Sequence, residues 1–265
     1  MSLLALAQNR YLISELIVRD IRSRYVGSII GIFWSILNPL LQLLLYTLIF
    51  SVVLNIRFGE TASTGQFAAY LFAALLPWMA VQESVTRSSR AFIENANLIK
   101  KLRFPLEVLP FSVAASAIFH QLLGSLVFAL ILLANGSLRV DLLPLFFILL
   151  PFQILLVYGL SLSVACLNVF FRDIAQILGV LFMLLFWITP IVYPKSQAER
   201  APAIFGWILN INPFTHLVEI YRFVFLGSPD PSTTGTVYWI LFGVAAYYLG
   251  HFILTRTRGE LLDLV

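Results

Sequence analysis

The sequence predicts an all-α polytopic membrane protein with six transmembrane helices. Apolar residues make up 60% of its 265 residues, and the mean hydropathy is +0.92. The charged residues, only 11% of the chain, are clustered and leave long charge-free runs. A water-soluble core cannot hide that much apolar surface. Helices satisfy their own backbone hydrogen bonds in lipid, whereas barrel strands would be about ten residues long with alternating polarity.

The charge-free runs give the predicted spans, at about 30–54, 66–82, 108–134, 142–168, 174–194 and 231–255. Each is near the ~20 residues that a helix needs to cross ~30 Å of hydrocarbon, the second being the shortest. The first run is too long for the apolar core of a signal peptide and follows a charged segment, so we expect it to remain as a span.

The distribution of Lys and Arg predicts that both termini are cytoplasmic. If the chain starts inside, 12 of the 17 basic residues fall on the inner face and five on the outer face. This bias agrees with the positive-inside rule. The formal net charge of +4 is then explained by topology and by contact with anionic membrane lipids, so it does not imply a nucleic-acid partner.

Three segments between or before the spans have their own patterns. Residues 8–28 mix apolar residues with both charge signs, which favours an interfacial amphipathic helix; an ordinary solvated helix is the alternative. Residues 88–104 have apolar residues at helical spacing before Pro105, as in a helix that docks a partner or lies on lipid. Residues 195–226 contain two apolar pieces separated by Asn212-Pro213, each too short to cross the bilayer. We expect a pair of re-entrant or interfacial helices on the outer face there.

No catalytic or metal-binding motif is found. The chain lacks the GxxxxGK[ST] phosphate loop, so it does not hydrolyse ATP by itself, and it lacks GxSxG and HExxH. His216 and Glu219 are the one close pair of metal-ligand types, and a third ligand is missing. Cys166 is the single cysteine. The proposed spans carry no Asp, Glu, Lys or Arg, which ion-coupled carriers usually need, so we expect the driving energy to come from elsewhere.

Two aromatic edges are candidates for a substrate channel. The first span has a stripe at four-residue spacing that stays near one side of the helix: Trp34, Asn38, Gln42, Tyr46 and Phe50. The fifth span has a second edge: Phe182, Phe186, Trp187 and Tyr193, with Pro190. Uncharged aromatic and amide side chains suit a sugar. The alternative is structural, with amides bridging helices and aromatics in the membrane-interface belt.

Four segments closely resemble the membrane subunit of type 2 ABC exporters for bacterial polysaccharides. They are RDIRSRYVGSIIGIFWSILNPLLQLLLYTLIFSVV at 19–53, NANLIKKLRFPLEVLP at 95–110, NVFFRDI at 168–174 and NPFTHLVEIYR at 212–222. They occur in the order of that family and cover nearly the whole chain.

The resemblance implies a permease subunit in the cell inner membrane that exports a lipid-linked polysaccharide: O-antigen of lipopolysaccharide, capsular polysaccharide or teichoic acid. It implies a homodimer with two copies of a separate ABC ATPase, so that ATP and Mg are bound by the partner, this chain needs no cofactor, and the whole complex acts as the translocase. The helix in 88–104 becomes the coupling helix. The implied ATPase-coupling residues are Asn95, Leu98, Ile99, Lys100, Lys101, Arg103, Arg172 and Asp173.

Under the same resemblance, the first and fifth spans become the channel walls and 195–226 the re-entrant helices near the exit. The basic collar is a candidate receptor for the lipid pyrophosphate, through Arg19, Arg22 and Arg24. Two alternatives remain: a related ABC exporter for drugs or small lipids, and a stand-alone membrane-embedded enzyme or flippase.

Overall fold

The structure, a computed structural model, describes residues 10–23, 27–53, 64–101, 105–195, 202–227 and 230–264, and every regular element in these ranges is helical. The helices are α1 (Arg10–Ser23), α2 (Trp34–Tyr46), α3 (Thr64–Ser88), α4 (Ala91–Glu94), α5 (Ala96–Lys101), α6 (Val108–Ala134), α7 (Leu143–Phe170), α8 (Ile174–Ile188), α9 (Ala203–Ile211), α10 (Pro213–Leu226) and α11 (Thr233–Leu264). Short 3-10 turns, Gly31–Phe33 and Val140–Leu142, precede α2 and α7, and a π-helical segment, Thr47–Val53, continues α2.

Four of the described helical segments are long and apolar enough to cross a membrane: Thr64–Ser88, Val108–Ala134, Val140–Phe170 and Thr233–Leu264. The predicted first and fifth spans correspond to shorter apolar helices, Leu37–Ser51 and Ile174–Ile188. The 15 residues of α8 extend roughly 22 Å, less than the ~30 Å of hydrocarbon. The structure therefore supports an all-helical protein with four candidate spans, and the count of six stays a prediction.

Two of the long helices continue beyond the charge-free runs. Helix α3 passes the predicted end at 82 and reaches Ser88, and α11 passes 255 and reaches Leu264. Charged residues such as Glu83 and Arg87 end an apolar run without ending a helix, because Glu and Arg are good helix formers. As a result, polar residues that the sequence assigned to a loop lie on the same helix as the apolar residues before them.

The segment 88–104 forms two short helices, where one was predicted. Helices α4 and α5 are separated at Asn95, whose backbone leaves the helical region at φ −107° and ψ 22°. The Asn95 side chain donates to the carbonyl of Ala91 at 2.9 Å, so it occupies the acceptor that the next helical turn would use. Residues 102–104 lie outside the described part of the chain.

Small residues allow the closest helix contact in the protein, between α7 and α11. A Cβ atom on Gly159 would overlap the backbone of Ala246 and Tyr247, and one on Gly250 would lie 2.7 Å from the carbonyl oxygen of Gly159. Gly243 approaches the carbonyl of Phe152 in the same way. Helices that meet through such residues gain van der Waals contact along their backbones, which is the main attraction between helices in lipid.

Helix α10 is buried among the long helices although it is only 14 residues long and carries charged residues. It packs against α3, α7 and α11. The side chain of Asn212 caps its first turn by accepting from the Phe214 amide at 3.0 Å, and Pro213 occupies the first helical position. Gly227 ends the helix with φ 72°, in the left-handed region that favours glycine.

Arg222 is the fully buried anchor of α10. Its guanidinium donates to the carbonyl of Ile191 at 2.7 Å and to that of Tyr70 at 3.2 Å, and its Cζ lies 3.5 Å from the centre of the Tyr70 ring. The Ile191 carbonyl follows the C-terminal end of α8. One side chain thus joins α10 to α3 and to the chain beyond α8, through charge-assisted bonds and a cation–π contact.

A second buried polar network joins α6, α7 and α10. The Gln121 amide nitrogen donates to Gln153 Oε1 at 3.1 Å and to the Tyr221 hydroxyl oxygen at 2.8 Å, and the Gln153 amide donates back to Gln121 Oε1 at 2.8 Å. The Tyr221 hydroxyl also donates to Gln153. These reciprocal bonds satisfy polar groups that would otherwise be costly to bury, so they fix the register of three helices.

We predict that Gly159→Ala destabilises the protein whereas Gly179→Ala does not. The added methyl group at 159 meets the α11 backbone, and overpacking of this kind costs about 1–3 kcal/mol. Gly179 on α8 has open space around its Cβ position, and alanine there gains helix propensity. Thermal unfolding of both detergent-purified variants measures the difference. Equal melting temperatures would contradict the tight α7–α11 contact.

We predict that Arg222→Met costs roughly 2–4 kcal/mol of folding free energy, because it leaves two carbonyls and the buried end of α10 without their partner. Arg139→Met is the matched control. Like Arg222, Arg139 donates two hydrogen bonds, in its case to the Asp141 carboxylate at 2.9 and 3.0 Å. This pair is exposed, so it should contribute little to the folding free energy. Thermal unfolding and the yield of folded protein in size-exclusion chromatography compare them.

Candidate channel, coupling segment and arginine cluster

The N-terminal half of the predicted stripe, on α2, lines a cavity. Trp34, Asn38 and Gln42 line one side of a space of about 670 Å³, and residues of α3 and α6 line the other side. Asn38 and Gln42 are exposed. Polar side chains exposed at the level of an apolar helix are costly in lipid unless protein, water or a polar ligand covers them.

The C-terminal half of the stripe, Tyr46 and Phe50, lies in an aromatic cluster instead. Tyr46 lies against Phe50, with ring centres 6.4 Å apart, and stacks on Phe186 of α8 at 5.7 Å. Phe182 and Phe186 then meet the buried Trp78 edge-on, at 5.8 and 6.0 Å. Such edge-to-face pairs stabilise packing beyond their buried area. These four stripe and edge residues therefore hold α2 and α8 against α3, in addition to any role toward a substrate.

The two remaining channel candidates lie at the end of α8. Trp187 contacts the Phe186 ring and leaves 52% of its surface exposed. The Tyr193 hydroxyl donates to the carbonyls of Trp187 and Ile188, at 2.9 and 2.8 Å, and so satisfies groups that the helix end leaves unbonded. Among the described residues, the ring contact between the stripe and the second edge is that of Tyr46 with Phe186.

The predicted coupling residues divide into buried and exposed ones. Ile99 is buried, Leu98 packs partly against the core, and Asn95 is half-buried with its amide bonded to Ala91. Lys100 is exposed, as is the pair Arg172 and Asp173 at the turn before α8. Ile99 therefore fixes the α4–α5 segment to the protein, whereas the charged residues present the available surface. The Lys101 side chain and Arg103 lie outside what the structure describes.

Helix α1, the predicted collar, is bonded to the coupling segment. Arg19 donates to Asn95 Oδ1 at 3.0 Å. Beside it, Asp20 accepts two bonds from Arg87 of α3, at 2.6 and 3.0 Å. This paired geometry between a half-buried arginine and a mostly buried carboxylate is specific in direction, although water screens part of its strength. The collar and the coupling segment are therefore joined into one unit by side-chain bonds.

Three arginines surround a second cavity at this junction. Arg19, Arg87 and Arg90 line a space of about 550 Å³, together with the carboxylates of Asp20 and Glu94. Of the other pyrophosphate candidates, Arg22 is exposed in the last turn of α1, and Arg24 lies outside the described residues. Of the two predicted arginines that the structure describes, Arg19 lines the cavity and Arg22 does not, and Arg87 and Arg90 line it as well.

The residues that sequence reasoning missed lie on the far walls of the two cavities. Gln82 is the last residue of one charge-free run, Glu83 and Arg87 follow that run, and His120 and Gln121 lie inside another run. Glu83 and Arg87 are four positions apart on α3, and their charged groups are 3.5 Å apart. That spacing was visible in the sequence, but it is equally typical of a solvated helix face.

The N-terminal half of α10 carries a cluster of charged and polar groups around Glu219. Glu219 lies 3.4 Å from the ammonium of Lys195 and 3.9 Å from His216 Nδ1. His216 also bonds through Nε2 to the Asn210 carbonyl at 3.0 Å. Within the described ranges, no group of three or more His, Cys, Asp or Glu side chains converges on one point. The Lys195 cation satisfies the carboxylate in the way that a metal would.

Comparison with known proteins places these features in one family. The family model described as ABC-2 type transporter matches residues 11–226. The O-antigen export system permease protein RfbA of Myxococcus xanthus is 32% identical over 222 residues, which are 83% of this chain and 82% of that protein. The RfbA permease of Klebsiella pneumoniae is 33% identical over 223 residues, 82% of each chain. The polysialic acid transport protein KpsM of Escherichia coli is 23% identical over 252 residues, 94% of this chain and 93% of that one. With most of its length matched by that family model and by relatives above 30% identity, this chain is a membrane protein of the ABC-2 type transporter family.

Proposed function

We propose that this chain is the permease subunit of an ATP-driven ABC exporter for a lipid-linked polysaccharide, such as O-antigen. The observation that carries the proposal is the match to two O-antigen export permeases over more than four fifths of the chain. The KpsM relative, a polysialic acid transport protein, supports a polysaccharide more generally. The matched region includes both cavities, the aromatic cluster and the α4–α5 segment.

The chain acts with a separate ABC ATPase, which binds ATP and Mg. The α4–α5 segment and the Arg172–Asp173 turn form the docking surface, and the exposed charge of Lys100 supports this assignment. Because Arg19 bonds to Asn95, and Asp20 to Arg87, a displacement of the docked segment also moves α1. ATP binding to the partner would therefore displace the collar α1 and the N-terminal half of α2 together.

Two copies of the chain form the conduit. Asn38 and Gln42 of the α2 stripe line the half-open 670 Å³ cavity and stay exposed, so one chain alone covers them only in part. A second copy would close a passage between two stripes, and exposed apolar residues beside the stripe, such as Leu44 and Leu48, remain for lipid or for the partner. Both termini face the cytoplasm in this arrangement, as the bias of basic residues favours.

The lipid pyrophosphate is received on the cytoplasmic side by the arginines of the collar. Arg19 of α1 lines the 550 Å³ cavity with Arg90, and Arg22 is exposed on the same helix, α1. Guanidinium groups match the geometry of phosphate oxygens with paired hydrogen bonds. Glycan then threads along the stripe, away from the anchored lipid end.

We predict that deletion of the gene stops surface display of the polysaccharide and leaves completed, lipid-linked chains inside the cell. Immunoblots of whole cells and of intact-cell surfaces, with an antiserum against the polysaccharide, measure the two pools. Complementation by the wild-type gene should restore display. Unchanged display, with altered resistance to drugs or altered export of small lipids, would favour the small-molecule alternative. Loss of synthesis itself would favour a membrane-embedded enzyme.

We predict that charge reversal by Lys100→Glu and Arg172→Glu together lowers the amount of ATPase subunit that co-purifies with the permease, at least fivefold. Arg139→Glu, in the loop predicted to lie on the outer face, is the matched control and should keep the ATPase bound. Co-purification from detergent extracts provides the measurement. Undiminished binding of the ATPase by the double variant would exclude these charges from docking.

We predict that Trp34→Ala, Tyr46→Ala and Trp187→Ala, combined in one chain, reduce export at least tenfold while the ATPase stays bound. Stacking on aromatic faces is lost along the whole passage. Trp207→Ala is the control, because Trp207 is an exposed tryptophan of α9 outside the stripe, with 72% of its surface exposed. Wild-type export by the triple variant would reject these residues as the lining.

A further inference from the structure

The 670 Å³ cavity is a half-open space between helices of a single chain, and it does not lie between the two aromatic edges. Its near wall is α2, with Trp34, Asn38 and Gln42, and its far wall is α3 and α6. No residue of α8 lines it. The volume lies within the range of roughly 300–1,000 Å³ that is typical of small-molecule pockets. A passage between α2 and α8 would bypass this space, so the cavity needs its own explanation.

The far wall presents hydrogen-bonding groups that the surrounding structure holds in place. The Trp78 indole N–H donates to Gln82 Oε1 at 3.1 Å, which fixes the plane of the Gln82 amide. Gln121, at the back of the cavity, is held by Gln153 and Tyr221. Groups oriented in this way do not have to be ordered when a ligand binds, so they favour affinity and selectivity.

The charges around the cavity are balanced. Arg87 reaches Glu83 at 3.5 Å and Asp20 at 2.6 Å, so its positive charge is already compensated by two carboxylates. A free anion would have to compete with both. The cavity therefore favours an uncharged ligand with many hydrogen-bonding groups, as opposed to a phosphate.

An acyl chain is also a poor occupant. The lining includes three amide side chains besides Gln121, together with Glu83 and Thr86. Hydrocarbon cannot bond the exposed amides of Asn38 and Gln42, which would lose the hydrogen bonds that water or a polar ligand gives them. A sugar ring has an apolar face that can stack on the Trp34 indole. Its hydroxyl groups can bond the amides and the Glu83 carboxylate.

We propose that this cavity is a saccharide-binding pocket within each chain, which holds a short stretch of the glycan. Trp34 stacks on the apolar face of a sugar ring, Asn38 and Gln42 bond its hydroxyl groups from one side, and Gln82 and Glu83 bond them from the other. This inference depends on the proposed function, the export of a polysaccharide. It assigns a recognition role to residues of α3 that otherwise would only support the channel wall.

Site-specific photo-cross-linking tests the pocket in the assembled exporter. The photoreactive residue p-benzoylphenylalanine is placed at Gln42 on the near wall, Met79 on the far wall or Trp187 on the second edge, one position per variant. Leu130, exposed on α6, is the lipid-facing control. Each variant is co-expressed with a form of its ATPase that cannot hydrolyse ATP, in cells that make the polysaccharide.

We expect ultraviolet light to attach polysaccharide to the permease at both Gln42 and Met79, as a mass ladder that the polysaccharide antiserum detects, and to attach none at Leu130. Adducts at Gln42 and Trp187 but not at Met79 would overturn the pocket and leave the exporter function intact. Lipid adducts alone at Met79 would assign the cavity to acyl chains and also overturn it. Absence of polysaccharide adducts at every position, with export unaffected by gene deletion, would instead reject the proposed function.

A second measurement does not depend on the far wall accepting a bulky residue. Asn38→Leu with Gln42→Leu should reduce export roughly tenfold, because each substitution removes hydrogen bonds to sugar hydroxyl groups. Leu126→Ala with Leu130→Ala, exposed positions of α6 outside the cavity, should leave export within twofold of wild type. Equal export by the two double variants would overturn the proposed roles of Asn38 and Gln42.

Discussion

Arg222 is fully buried in a protein made largely of apolar helices, and most of the described architecture depends on how its charge is satisfied. The guanidinium bonds to the carbonyls of Tyr70 and Ile191 and lies over the Tyr70 ring. A buried cation is strongly destabilising if it loses these partners. The requirement fixes α10 against α3 and against the chain beyond α8, and it explains why a short helix with charged residues can lie inside the bundle.

From this fixed position, α10 organises the middle of the protein. Tyr221 bonds Gln121 and Gln153, so α6 and α7 take their register from the same helix that Arg222 anchors. Gln121 also forms the back of the cavity beside α2. Close backbone contact at Gly159 and Gly250 then holds α11 against α7. The groups that line this cavity are therefore supported by well-packed helices, the arrangement that a selective binding surface requires.

The collar α1 and the predicted coupling segment are bonded to each other. Asn95 belongs to the coupling segment, and its partner Arg19 belongs to the collar. Arg87, which holds Asp20 of the collar, lines both cavities. A movement imposed at the coupling segment therefore has a direct route, through side-chain bonds, to the walls of both cavities.

The sequence by itself determined the membrane-protein class, because a water-soluble fold cannot bury the apolar surface of a chain that is 60% apolar with clustered charges. It also located the helices of four candidate spans and identified the family, through motifs such as NPFTHLVEIYR that the family comparison supports. The roles of the channel and coupling residues remain predictions, and the structure shows only where those residues lie.

Tertiary structure decided what the local pattern left open. The stripe on α2 is a single periodic feature in sequence, yet packing divides it between a polar cavity at Asn38 and an aromatic cluster at Tyr46. The sequence did not show that Gln82 and Gln121 would face the same cavity, because they are far apart along the chain and their helices look uniformly apolar. Hydropathy and periodicity report how one helix meets its average surroundings. Which polar groups converge depends on side chains that approach from other helices, and only the folded structure brings them together.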